Sequence, residues 1–182
     1  RDWAGRITTY DYDDADRLRF MYQPLGKTTE YRYDPVGNVL NEIMSSPTDA
    51  DRETIYDYDP ERYFVRSITR VNPDGDQVVM RSYDGEGNIE TETDPLGRVM
   101  TYTYDEFNRR LTADGPLGSG QRWQYDAVGN VLRETTLNGV DQVRRFAYSP
   151  ASRLLNQLDA TDGLTQFQTD GNGNVTRVID PR

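Results

Sequence analysis

The chain has 182 residues, 21 Lys and Arg against 31 Asp and Glu for a net charge of −10, 35% hydrophobic and 29% charged residues, and a mean hydropathy of −0.88. The acidic balance argues against nucleic acid or an anionic membrane as partner. The lack of Cys excludes a disulfide framework or thiolate metal site, and the lack of His excludes a histidine base for nucleophilic catalysis.

Arg1-Asp2-Trp3 does not read as a secretory leader, and no apolar run reaches 18 residues. The chain is read as opening inside a strand. From there Gly or Pro interrupts about every ten residues, and no 3.6-residue apolar period outlasts a turn or two. The expectation is an all-β chain of roughly sixteen strands, with no helix longer than about two turns.

A short motif punctuates the strands. It appears as Tyr12-Asp13-Asp14-Ala15-Asp16-Arg17-Leu18, Tyr33-Asp34-Pro35-Val36-Gly37-Asn38-Val39 and Tyr58-Asp59-Pro60-Glu61-Arg62-Tyr63-Phe64. It returns as Tyr83-Asp84-Gly85-Glu86-Gly87-Asn88-Ile89, Tyr104-Asp105-Glu106-Phe107-Asn108-Arg109-Arg110 and Tyr125-Asp126-Ala127-Val128-Gly129-Asn130-Val131. Tyr148-Ser149-Pro150-Ala151-Ser152-Arg153-Leu154 and Thr169-Asp170-Gly171-Asn172-Gly173-Asn174-Val175 complete eight copies, spaced by 21, 25, 25, 21, 21, 23 and 21 residues. Each copy reads as a tight turn: Asp accepts backbone hydrogen bonds at the first position, and Gly takes φ > 0 at the fourth. A type I turn followed by a left-handed residue is the three-residue hairpin loop with a bulge. Asp16, Asn108, Arg62 and Ser152 replace that Gly, the last two against preference. The third copy is therefore expected to be the least regular.

Second turns lie between the copies: Gln23-Pro24-Leu25-Gly26, Asn72-Pro73-Asp74-Gly75, Asp94-Pro95-Leu96-Gly97, Asn138-Gly139 and Asp162-Gly163. Each period is thus one hairpin, and periods of 20–50 residues mark an array. Residues 1–182 read as a single array without a domain boundary. Two longer loops, Ser45–Asp51 and Asp114–Gly120, read as tolerated insertions at hairpin tips. At the end, Asp180-Pro181-Arg182 reads as the start of a further turn.

Seven strand ends carry an aromatic two residues before the motif's first residue: Tyr10, Tyr31, Tyr56, Tyr102, Trp123, Phe146 and Phe167. Residues i and i+2 share one face of a strand. Tyr31 with Tyr33, Tyr56 with Tyr58, Tyr102 with Tyr104 and Trp123 with Tyr125 are therefore expected to form an aromatic ladder of stacked pairs beside the turns. The intervening Asp11, Arg32, Asp57, Thr103, Gln124, Ala147 and Gln168 would make the other face wet.

These residues resemble the YD-repeat, or Rhs (rearrangement hotspot), family: Tyr-Asp-x-x-Gly-Asn/Arg-Val/Leu, with Asp-Pro-Leu-Gly-Arg as its companion. Eight copies in phase cover essentially the whole chain. The resemblance implies a β-ribbon spiralling into a hollow shell, as in bacterial Rhs polymorphic toxins, insecticidal Tc toxin components and teneurin ectodomains. It implies as partners the neighbouring repeats of a longer chain and an encapsulated toxin or effector segment, and a secreted or cell-surface location. The family's self-cleaving C-terminal aspartyl motif has no counterpart here, so no catalytic residue carries over.

The candidate chemistry is otherwise thin. Asn72, Asp74 and Asp76, or Asp170, Asn172 and Asn174, have the oxygen spacing that opens a calcium loop, but Gln77 and Val175 stand where its Gly belongs and no Glu closes it. Gly26-Lys27-Thr28 lacks the upstream Gly of a phosphate loop, Met21 standing there. The expectation is a non-catalytic wall segment without metal or cofactor, its structural turn residues Asp34, Gly37, Asp94, Pro95, Gly97, Asp126, Gly129 and Gly173. The alternative is a carbohydrate or cell-surface module using the aromatic face, which requires Trp123, Tyr102 and Tyr31 to lie open in a groove.

Overall fold

A computed structural model describes residues 5–180. The expectations for Arg1-Asp2-Trp3 and for Pro181-Arg182 lie outside the described residues. The chain divides into two compact units, one running up to Ser82 and taking in Glu92–Gly97, the other formed by Tyr83–Thr91 and the residues from Arg98 on.

The first unit contains β1 (Thr9–Tyr12), β2 (Leu18–Tyr22), β3 (Thr28–Tyr33), β4 (Val39–Ser45), β5 (Arg52–Tyr58), β6 (Val65–Val71) and nearly all of β7 (Gln77–Tyr83). After β8 (Ile89–Thr93), which the two units divide, the second contains β9 (Val99–Tyr104), β10 (Arg110–Asp114), β11 (Gly120–Tyr125) and β12 (Val131–Leu137). It continues with β13 (Gln142–Tyr148), β14 (Leu154–Leu158), β15 (Leu164–Thr169) and β16 (Val175–Ile179). Within each unit strand order equals chain order, and consecutive strands pair antiparallel. The all-β array of consecutive antiparallel hairpins expected from the punctuation is what forms. Helical geometry among the described residues is confined to single tight turns at Pro24–Gly26 and Pro116–Gly118.

The hairpins that turn after Tyr12, Tyr33, Tyr58, Tyr104 and Tyr125 carry a register shift just before that Tyr, as between Arg32 and Tyr33 or Gln124 and Tyr125. That bulge comes from the loop. Asp34 N–H donates to Asn38 O at 2.9 Å and Gly37 N–H to Asp34 O at 3.2 Å, a three-residue loop closed by a left-handed Gly37 at φ 103°. The left-handed position falls to Asp16, Asn108 and Ser152 in the copies lacking Gly, at φ 57–59°.

Three turns differ from the reading. In the third copy the left-handed residue is Tyr63 (φ 58°), not Arg62, because the loop is one residue longer: Asp59 N–H pairs with Phe64 O and Tyr63 N–H with Asp59 O. In the Pro-Leu-Gly turns at 24–26 and 116–118 the Leu itself is left-handed, Leu25 at φ 64° and Leu117 at φ 59°. Asp94-Pro95-Leu96-Gly97 keeps the expected form, with only Gly97 at positive φ (77°). The cause is the first residue. Asp94 Oδ1 accepts from Leu96 N–H at 2.9 Å and holds that peptide in the type I geometry. Gln23 and Gly115 put no carboxylate there.

Each unit is one layer thick, so burial comes from long side chains folding over short ones in the same cross-strand row. Among the described residues the buried ones are Thr29 between Met21 and Met44, Ala113 between Tyr102 and Gln121, and Thr135 between Arg122 and Val143. A layer this thin takes most of its order from the hydrogen-bond ladder and its turns.

Gly97 tests the turn assignment, because a Cβ there would meet nothing within 4 Å and strain comes from φ alone. Gly97→Val is expected to cost about 1–2 kcal/mol, the penalty for a bulky residue in the left-handed region. Urea titration measures it, and an unchanged midpoint would contradict the turn geometry.

Candidate functional site: the linked row of turns

The turn Asp is the first element of the site. In Asp126, Oδ1 accepts from Val128 N–H at 3.0 Å and Asn130 N–H at 2.8 Å, while Oδ2 accepts from Asn130 Nδ2 at 2.8 Å. Asp34, Asp84 and Asp170 hold Asn38, Asn88 and Asn174 in the same way. Where the last turn residue is Arg, its Nε replaces the amide: Arg17 on Asp13 at 2.8 Å and Arg109 on Asp105 at 2.6 Å. The oxygens considered for a calcium loop at Asp170 are thus engaged by their own turn.

These bonds favour the charged carboxylate. The Asn side chains lower the pKa of Asp84, Asp126 and Asp170 first of all, and the backbone N–H of Arg17 and of Arg62 do so for Asp13 and Asp59. At Asp34 and Asp105 burial is the largest single influence and pushes upward, but the hydrogen bonds from Asn38 and Arg109 with the turn amides outweigh it.

The second element is the motif Tyr, which reaches back one repeat. Tyr33 OH donates to Leu18 O at 2.7 Å, Tyr58 OH to Val39 O at 2.9 Å, Tyr104 OH to Ile89 O at 3.0 Å and Tyr125 OH to Arg110 O at 2.8 Å. The acceptor is each time the first strand residue after the preceding turn, and Leu18, Val39 and Arg110 stand beside the register shift. Burial raises the pKa of Tyr58, Tyr125 and Tyr148.

The third element reaches forward. Arg17 Nη1 donates to Asp34 O at 3.0 Å, and its guanidinium lies over the Tyr33 ring at 4.7 Å. Arg109 repeats both contacts on the next copy, with Asp126 O at 3.0 Å and the Tyr125 ring at 4.8 Å. Arg153 donates to Asp170 O at 3.0 Å and Gly171 O at 2.8 Å. The intervening turns reach forward with Asn: Asn88 Nδ2 to Asn108 Oδ1 at 2.9 Å, and Asn130 Nδ2 to Ser152 Oγ at 3.1 Å.

Apart from the third copy, where Tyr63 and Phe64 hold these places, two turn chemistries therefore alternate. A turn with a polar left-handed residue and Arg precedes one with Gly and Asn. At Gly173 the absence of a side chain has a spatial reason beyond φ, whereas a Cβ at Gly129 would meet Arg109 only at 3.8 Å and one at Gly37 would meet nothing within 4 Å. A Cβ on Gly173 would stand 3.0 Å from Arg153 Nε, so the incoming guanidinium occupies the space a side chain would need. Ser152 and Asn108 receive only the shorter Asn and can keep side chains, which serve as its acceptors.

Of the residues singled out in the sequence, Asp34 and Asp126 hold their turns as described. Gly37, Gly97, Gly129 and Gly173 lie at φ 103°, 77°, 98° and 93°, and Asp94 and Pro95 form the companion turn. The aromatic positions Tyr31, Tyr56, Tyr102 and Trp123 are half-buried, while Arg32, Asp57, Thr103 and Gln124 between them and the motif Tyr are exposed. Phe20 stacks on Tyr22 at 5.8 Å, whereas Tyr102 and Tyr104 share the guanidinium of Arg110, at 4.5 and 5.9 Å. Tyr31 OH lies 3.5 Å from Glu42, and burial raises its pKa. Arg17, Arg109 and Arg153 were not foreseen as links; the regular exchange of Arg for Asn at the last turn position was the available signal.

Sheet and linked turns together define a hairpin-repeat array. Residues 83–119 match the RHS Repeat family model. The probable deoxyribonuclease RhsB of Dickeya dadantii (strain 3937) is 27% identical over 199 residues, which cover 97% of this chain and 12% of that protein. The crystal structure of TcdB2-TccC3 without its hypervariable C-terminal region aligns with a TM-score of 0.62 and 17% identity, over 96% of this chain and 11% of that one. The TcdB2-TccC3-Cdc42 structure aligns at 0.61 and 16%, over 95% and 11%. The chain is thus similar to YD/Rhs repeat proteins, with the match to the family model carried by residues 83–119.

Two measurements check the site. Tyr104→Phe and Tyr125→Phe should each cost about 0.5–1.5 kcal/mol, the net worth of one hydrogen bond, with no change in the far-UV spectrum; stability equal to wild type would show that the hydroxyls do not link repeats. Because the turn carboxyls titrate below their ordinary value of 3.8, the stability they add is complete above it and is lost as the pH falls below it. Melting temperature should accordingly be level near neutrality and drop in that acid range; a melting temperature that held level down to pH 2 would contradict the carboxylate clamps.

Proposed function

We propose that this chain is a non-catalytic wall segment of a shell built from YD/Rhs repeats, and that the shell encloses a toxin or effector. The observation that carries the reading is the commitment of the motif residues to one another. The turn acids, the motif tyrosines and the alternating Arg and Asn side chains are spent on holding each repeat to the next. The repeat-built relatives support it, and the nuclease activity in the name of one belongs to a protein of which this chain matches 12%. In this reading residues 1–182 act as one continuous array. Its partners are neighbouring repeats and an enclosed segment, and its location is that of an exported bacterial toxin. The sugar-platform alternative asks for open aromatic faces; Tyr31, Tyr102 and Trp123 are half-buried, with Trp123 and Tyr31 each lining a groove.

Expression of the chain in a bacterial cytoplasm should leave growth unimpaired, and the purified chain should show no nuclease activity. Growth arrest abolished by changing a few clustered carboxylates would overturn the non-catalytic reading. In the intact protein carrying this segment, a gold label at position 107 should fall on the wall of a hollow particle by electron microscopy. A label on a solid or protruding domain would overturn the shell reading.

A further inference from the structure

The β12–β13 hairpin closes on Asn138-Gly139-Val140 without the carboxylate clamp that fixes the Tyr-Asp turns. Asn138, Gly139 and Val140 are all exposed. Val140 N–H donates to Asn138 O at 2.9 Å across Gly139 at φ 74°, a γ-turn centred on a positive φ. Among the described residues nothing accepts a hydrogen bond from the Gly139 N–H or from the Asn138 side-chain amide. The chain has one other Asn-Gly pair, Asn172-Gly173 in the eighth copy of the motif. There Gly173 N–H donates to Asp170 O at 3.1 Å and Asn172 N–H to Asp170 Oδ1 at 2.9 Å. Arg153 grips the same loop through Asp170 O and Gly171 O. Every other Asn is followed by a larger residue, which at Asn72 is Pro73.

We infer that Asn138-Gly139 is a self-modifying site, at which the chain converts its own asparagine to isoaspartate and aspartate with water as co-reactant. The nucleophile is the Gly139 backbone nitrogen and the electrophile is Cγ of Asn138. A bond forms between them, the Gly139 nitrogen gives its proton to the departing amide nitrogen, and the Cγ–Nδ2 bond breaks with loss of ammonia. The product is a five-membered succinimide, and water then adds to either of its two carbonyls. Addition at the former backbone carbonyl leaves Gly139 joined through Cγ, an isoaspartyl link; addition at Cγ leaves an ordinary aspartate. Ring closure needs an unengaged N–H on the next residue, no side chain beside that nitrogen, and freedom to turn about the Asn Cα–C bond. Gly139 supplies the first two, and its place outside the strand ladder supplies the third. At Asn172 the same closure must break the bond from Gly173 to Asp170 O in a turn that Arg153 also holds. An isoaspartyl link adds a carbon to the backbone between Thr136 and Gln142, which pair across the hairpin, and puts a new carboxylate in the turn that carries exposed Asp141.

The test incubates the full chain in mildly alkaline buffer and follows both Asn-Gly pairs by proteolysis and fragmentation mass spectrometry, which separates isoaspartate from aspartate. Asn138 should lose its amide at least an order of magnitude faster than Asn172, with isoaspartate the main product. In concentrated urea, where neither turn is held, the two rates should come together, so that the difference in the native chain belongs to the fold. Asn138→Gln, whose longer side chain must close a larger and slower ring, should remove the modification there while leaving the far-UV spectrum and the rate at Asn172 unchanged. Equal rates in the native chain, faster loss at Asn172, the same ratio of rates in urea as in buffer, or aspartate formed without isoaspartate would overturn the proposal.

Discussion

The structure depends on a contact made outside the sheet ladder, between one turn and the next. A guanidinium held by its own turn Asp crosses to the backbone carbonyl of the following turn and covers the following Tyr, as Arg17 does with Asp34 and Tyr33. The hydroxyl of that Tyr returns to the first strand residue after the guanidinium's turn, Leu18. Two repeats are thereby joined at both sides of one bulge. A lone hairpin is marginal in water, and a one-layer sheet adds few buried residues to help it. Linking each bulge to its neighbour converts a defect in the ladder into the point of attachment, and stability becomes a sum over adjacent pairs.

The fold was legible because local chemistry and global arrangement agree. Turn residues recur at a fixed period, strands alternate between them, and consecutive strands have only their neighbours to pair with. Asp34, Asp126 and the left-handed glycines could be placed from composition of the turn alone. The two Pro-Leu-Gly turns with left-handed Leu could not, since the deciding oxygen belongs to Asp94 in one turn and is missing at Gln23 and Gly115 in the others. Tyr63 escaped for a related reason: one added residue in the loop moves the left-handed position along by one.

The candidate site was only half readable. That Tyr and Asp matter followed from their recurrence, but their partners lie 15 to 19 residues away and depend on which carbonyl stands beside the bulge. An i, i+2 spacing suggests ring stacking, as between Phe20 and Tyr22; Tyr102 and Tyr104 also share the guanidinium of Arg110. A cation on an aromatic face is worth a similar amount to a ring pair, so spacing by itself could not choose between them.

The alternation of turn chemistries sets a rule of parity for how such an array can grow or shrink. Removing one repeat would bring two Arg turns together, with a guanidinium directed at Ser152 or Asn108 in place of a Gly, or two Asn turns, whose short amides would face a Gly that offers no acceptor. Removing two restores the sequence of partners. The smallest length that can be duplicated or lost without a mismatched joint is therefore a pair of hairpins: Tyr104 and Tyr148 stand 44 residues apart, as do Tyr125 and Thr169. Recombination within such a gene would leave a working protein most readily when its breakpoints are that far apart.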